Sequence, residues 1–206
     1  GGTLSLQYTL DALEDSSLRR PDRVLLVSPA IELTPVAALA SIIDFFSIVP
    51  VPVLEKVRWQ EITAEYDPYK FNSFPVNASR QVNRATRALH KALASARESG
   101  RLAQMPPVVT WQSVVDSTVG SAGVADRLYA NLDGAGHRLV LFDVNRHKEL
   151  ASVQRPQAGA MIERLLRGKR GYEFEVISNA TPEGLGLNVR SFASDGAVTE
   201  HETGLS

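Results

Sequence analysis

Cysteine is absent from the 206 residues. Disulfides, thiolate metal sites and cysteine nucleophiles are excluded with it, and the cellular compartment stays open. An excess of charge of one sign is also missing: 22 Lys and Arg stand against 23 Asp and Glu, a net charge of −1. A nucleic-acid partner calls for a basic stripe, and the densest basic stretch, RLLRGKR at 164–170, reads as a solvated helix end. Nor is there an unbroken apolar run of the roughly 20 residues that cross a bilayer. Residues 35–54 come nearest, but Asp44 interrupts them and Pro50 and Pro52 break their end. The glycine loops that hold dinucleotides or nucleoside phosphates, GxGxxG and GxxxxGK[ST], do not occur, so no cofactor is called for. Internal repeats are missing too.

What is present is an ordinary globular balance, 44% hydrophobic and 22% charged, in a length that suits one domain around one core. After Gly1 and Gly2, Leu6, Leu10 and Leu13 recur at helical spacing. RVLLV at 23–27 reads as a short strand buried on both faces, as in a parallel sheet. Residues 30–78 are rich in proline and aromatics, and an excursion of that length is usually functional. Within it a helix is predicted over 36–47, either a lid over an apolar pocket or a plain buried helix. Val82, Ala85, Leu89, Ala92, Leu93 and Ala96 trace the next helix face, with Gly100 as its stop. Strands follow at 108–112, 138–144 and 172–178, separated by helices marked by Val124, Leu128 and Leu132 and by Ala158, Met161, Ile162, Leu165 and Leu166. After Asn179 the sequence turns polar and glycine-rich, and no closing element is predicted. Strands alternating with helices specify an α/β fold, a mostly parallel sheet flanked by helices and joined by right-handed crossovers. Its chemistry belongs beyond the carboxyl ends of the strands, here after Val27, Gln112 and Val144.

Asp116, in QSVVDSTVG, stands at such a strand end, although Asp-Ser-Thr ahead of a helix is also good capping chemistry. His147, in FDVNRHKEL, follows the next strand. Asp143 and His147 are spaced to share a helix face as metal ligands, but no third ligand is near and no metal is expected. His90, His137 and His201 have no recognisable partner. VGSAG at 119–123 imitates a nucleophile elbow, but Val119 occupies the first position, which requires glycine.

The order of these features resembles the second half of a serine α/β-hydrolase of the esterase/lipase kind, most of all a bacterial branch. GGTLSLQY resembles the residues just after the nucleophile in the family's Gly-x-Ser-x-Gly elbow. The resemblance covers about the first 145 residues. It implies that Gly1 and Gly2 are the elbow's small residues, with the serine two positions ahead of Gly1. It implies a cap insertion, helical in part, at about 30–78, and Asp116 as the acid of a Ser-His-Asp triad. The base it implies is His147, or a histidine beyond Ser206 if the preceding loop is extended, with His201 as a third option. In that mechanism Asp116 orients the imidazole and stabilises the imidazolium formed when the serine gives up its proton. The implied substrate is a small-molecule ester with an apolar group, since Ile42, Phe45, Phe46, Trp59, Tyr66 and Phe74 can line a pocket, and the cap can rest on a membrane surface. The same side chains equally suit an ordinary cap core. The 206 residues alone are then expected to be an inactive piece of a larger enzyme, with a bare strand edge where the rest of the sheet is missing. The alternative is a non-catalytic α/β binding or scaffold module in which Asp116 is only a helix cap.

Overall fold

A computed structural model describes residues 1–32, 59–61, 73–114, 121–132, 134, 136–144, 161–165, 170–181 and 186–204. Helix α1 (Gly2–Glu14) buries Leu6, Leu10 and Leu13, as their spacing requires. Arg20 closes its far end, donating from Nε to the Ala12 carbonyl at 3.1 Å and from Nη2 to that of Leu13 at 3.3 Å. Asp15 ends the helix and accepts the Ser17 amide at 2.8 Å. Hydrogen bonds from the Ser17 side chain and backbone hold the Asp15 carboxyl below its ordinary range.

Strand β1 (Val24–Val27) comes next. Only one of its faces is covered: Val24 and Leu26 are buried, while Leu25 and Val27 are 61% and 76% exposed. The expectation of a strand buried on both faces is therefore corrected: the described helices pack on the Val24 and Leu26 face, and Leu25 and Val27 point to the other.

Of the excursion at 30–78, the predicted helix over 36–47 lies outside the described residues. The described part is not helical until Val76. Strands β2 (Trp59–Glu61) and β3 (Ser73–Pro75) form an antiparallel ladder, with Gln60 opposite Phe74. Helix α2 (Val76–Glu98) then buries Thr86, Leu89, Leu93 and Ala96, and Gly100 stops it in the left-handed conformation (φ 72°) that glycine adopts without strain.

Strands β4 (Val108–Ser113), β5 (Arg138–Asp143) and β6 (Glu173–Asn179) stand where strands are predicted. Between β4 and β5 a helical stretch at 121–131 passes from an α turn through a π turn (Val124–Leu128) to a 3-10 turn, burying Val124, Leu128 and Leu132. A helix at 161–165 precedes β6.

The polar tail does carry further elements, which corrects the expectation of none after Asn179. Strands β7 (Leu187–Phe192) and β8 (Val198–Glu202) form a hairpin. Its turn is built on Asp195, which accepts the Ala197 amide at 2.9 Å, and on Gly196 at φ 91°. The resulting six-stranded sheet has the order β1-β4-β5-β6-β7-β8. The first four strands are parallel and the last two antiparallel, so the fold is α/β with a mixed sheet.

Side chains alternate across a strand. Leu26, Leu139, Leu141, Phe174 and Val176 join one core with residues of α1, α2, 121–132 and 161–165. Val140 and Val189 are buried but stand outside that core. The described helices thus share one face of the sheet. No described helix is long and apolar enough to cross a membrane.

Candidate functional site

The carboxyl ends of β1 and β4 lie side by side, Val27 being paired with Trp111. The segment leaving β1 is tied down from three directions. Ser28, at φ 44°, donates its amide to the Trp111 carbonyl at 2.9 Å. Thr3 of α1 donates from Oγ1 to the Ala30 carbonyl at 2.7 Å. His90 of α2 places Nε2 2.8 Å from the carbonyl of buried Ile31. A carbonyl only accepts, so that nitrogen carries the proton. His90 therefore has a backbone partner that its sequence neighbours do not reveal.

Gly1 and Gly2 start α1 at this same end. The Gly1 carbonyl accepts the amides of Leu4 and Ser5 at 2.9 and 3.0 Å, and no side chain caps the helix. A Cβ added to Gly2 would stand 2.7 Å from Pro29 Cβ and 3.4 Å from Leu26 Cδ2. The first of these is well inside contact distance between carbons, so the helix approaches β1 as closely as it does only because residue 2 has no side chain. Gly1 has nothing within 4 Å.

Glu32 reaches across to the helical stretch beyond β4. Arg127 donates to its Oε1 from Nε and Nη2, both at 3.2 Å. Glu32 also lies against Gly123, where a Cβ would meet its own Cβ at 2.3 Å. Close packing against Glu32 thus accounts for Gly123, the last residue of VGSAG. β4 leaves the sheet with the Val114 amide on the Phe142 carbonyl at 3.0 Å. Asp116, two residues further on, and His147 lie outside the described residues.

The remaining histidines are elsewhere. His201 belongs to β8, and β8 is the opposite edge of the sheet from β1. Strands lie about 4.8 Å apart, so His201 is on the order of 24 Å from β1, beyond the reach of any group at Gly1 and Gly2. His137 precedes β5 at the amino ends of the strands, where its buried Nδ1 accepts the Val108 amide at 3.1 Å. Among the described residues no three His, Asp or Glu side chains gather as metal ligands.

Tyr129, which the spacing of Val124, Leu128 and Leu132 does not single out, joins β4 and β5. The buried Tyr129 hydroxyl lies 3.1 Å from the Val108 carbonyl, 3.0 Å from Thr110 Oγ1 and 2.5 Å from the Arg138 carbonyl. Burial pushes its ionisation well above the ordinary tyrosine value of 10.0. Its ring packs on Tyr172, centroids 4.8 Å apart. An ordinary apolar spacing pattern hides this role, because its only signal is the hydroxyl.

No family model, no curated protein and no solved structure matches the chain.

Proposed function

We propose that the chain belongs to a serine α/β-hydrolase acting on esters with an apolar group. In this reading the serine stands two residues ahead of Gly1, Asp116 is the acid that orients the base, and His147 or a histidine beyond Ser206 is that base. The supporting observation is one of position. The start of α1 at Gly1 and Gly2 and the exit of β4, two residues before Asp116, lie at the same end of neighbouring parallel strands. Chemistry in an α/β sheet gathers at that end. Had α1 started at the opposite end, a serine ahead of Gly1 and a carboxylate after β4 could not meet.

The role given to Asp116 is electrostatic and geometric. Its carboxylate would hold the imidazole in one tautomer and stabilise the charge that develops when the serine attacks. The polypeptide encoded by the gene, assayed with p-nitrophenyl butyrate, tests this. Asp116→Asn is expected to lower kcat by about 10⁴-fold with the far-ultraviolet dichroism unchanged. Turnover at the parent rate would overturn the reading, as would a gene in which no serine occupies the second position ahead of Gly1.

A further inference from the structure

The cations of α2 fall on one line. Arg80, Arg84, Arg87 and Lys91 are all exposed, and their spacing keeps them within about 60° of arc over about 16 Å of helix. Thr86, Leu89, Leu93 and Ala96, which α2 buries, lie on the opposite side. The first acid of the helix is Glu98, its last residue. No contiguous basic run announces this stripe, because two or three other residues separate each cation from the next. Folding the segment as a helix brings them together.

Helix stability does not account for the arrangement. Like charges three or four residues apart destabilise a helix, and here they follow one another without a break. The first turn also lacks the acid that the positive end of a helix favours. Arg84, Arg87 and Lys91 enter none of the ion pairs formed among the described residues. Their charge faces outward. The stripe also has a place relative to the sheet. His90 meets Ile31 just past the carboxyl end of β1, and α2 then runs on toward the start of β4. The cations ahead of His90, namely Arg80, Arg84 and Arg87, therefore extend past that end.

We infer that this face of α2 docks the protein on the surface of an anionic phospholipid bilayer, its four cations meeting lipid phosphates. Charges strung over about 16 Å do not converge on one small anion; they match an extended layer of them. Four or more Lys and Arg on an amphipathic helix are the pattern that binds anionic headgroups. β3 runs straight into α2, so Trp59 and Phe74 of the β2–β3 ladder stand at the head of the stripe, and such residues are favoured at the headgroup level. A nucleic acid fits less well. It asks for a basic domain and, as a single strand, for rings to stack on, whereas the net charge is −1 and α2 holds no Phe, Tyr or Trp. The contact is electrostatic and belongs to α2, beyond the excursion at 30–78. It rests on the charges of that helix and not on the hydrolase reading.

Sedimentation of the gene-encoded protein with vesicles tests it. Vesicles of phosphatidylcholine with about one third phosphatidylglycerol are expected to bind the protein, and vesicles of phosphatidylcholine alone are not. Raising sodium chloride to about 0.5 M should release it. Arg84→Gln with Arg87→Gln should weaken binding by about 30-fold. Dichroism should stay unchanged, since Gln is a good helix former and the exchange relieves repulsion. Arg19→Gln with Arg23→Gln removes two exposed cations outside α2 and should change binding by only a few-fold. Equal binding to both kinds of vesicle, binding to neither, unchanged binding in the α2 pair or an equal loss in the control pair would each overturn the inference. Binding to a DNA duplex but not to vesicles, abolished by the α2 substitutions, would assign the stripe to nucleic acid and overturn it equally. None of these results bears on the effect of Asp116→Asn, so the two proposals fail separately.

Discussion

Replacing Gly2 by alanine sets two effects of known size against each other. Alanine is favoured over glycine inside a helix by up to about 1 kcal/mol, and by less at a first turn. Against that gain stands the new Cβ, 2.7 Å from Pro29 Cβ and 3.2 Å from Pro29 Cα. Carbons rest at about 3.5 to 4.0 Å, so one partner must give by roughly 1 Å. Pro29 is poorly able to yield. Its carbonyl accepts the Ile31 amide at 2.8 Å, and the next carbonyl, that of Ala30, is held by Thr3. The first turn of α1 must instead lift from β1, at an overpacking cost of about 1–3 kcal/mol. The net expectation is a loss of about 1–2 kcal/mol, or a Tm lower by about 2–8 °C for a domain of this size. Gly1→Ala is the matched control, because nothing lies within 4 Å of that position. It should cost only the difference between glycine and alanine at a helix cap, about 0.5 kcal/mol. Urea unfolding followed by dichroism and by tryptophan fluorescence gives both values, provided the two probes coincide. If Gly2→Ala is as stable as the parent, or if Gly1→Ala costs more, then close approach is not why residue 2 is glycine.

Other contacts carry outcomes of their own. Tyr129→Phe strands the buried Thr110 hydroxyl and should cost about 2 kcal/mol, with Thr110→Val added to it costing less than the sum in urea melts. Because burial raises the ionisation of Tyr129, its contribution is fully present below the ordinary value of 10.0 and is lost as pH rises above that toward the raised folded value. Stability measured from about pH 9 to 12 should therefore fall less steeply in Tyr129→Phe than in the parent, and parallel curves would refute that assignment. Gly123→Ala drives a Cβ to 2.3 Å from Glu32 Cβ and should cost about 1–3 kcal/mol, partly restored when Glu32→Gly removes the obstacle; no restoration would mean that the strain lies elsewhere.

The helices were legible because apolar spacing is a local property. Leu6, Leu10 and Leu13, and Leu89, Leu93 and Ala96, lie buried as their periods demand. The strands at 108–112, 138–144 and 172–178 were legible for a similar reason, since short Val- and Leu-rich runs between turn signals have few other uses. The β7–β8 hairpin was not. Arg190, Glu200, His201 and Glu202 make its strands polar, and only Asp195-Gly196 signalled a turn. Polar strands are viable here because β7 borrows its order from β6, through the Phe174–Phe192 pair and the ladder behind it. RVLLV misled in the opposite sense. An apolar run reports that a strand is built to be covered on both faces, but what covers it depends on its neighbours.

The candidate site divides in the same way. Asp116 and the pair Gly1 and Gly2 were picked out by order along the chain, which is all that a motif contains. The contacts of Gly2 with Pro29, of His90 with Ile31 and of Glu32 with Arg127 and Gly123 join residues far apart in sequence. No local pattern encodes them. By itself the sequence determined the α/β class and the identity of the core helices and strands, because helix and strand periods are written into successive residues. Only the tertiary structure decided which strand stands at the edge, which glycine is needed and which is free, and at which end of the sheet α1 starts. Those depend on distances between segments that meet only when the chain has folded.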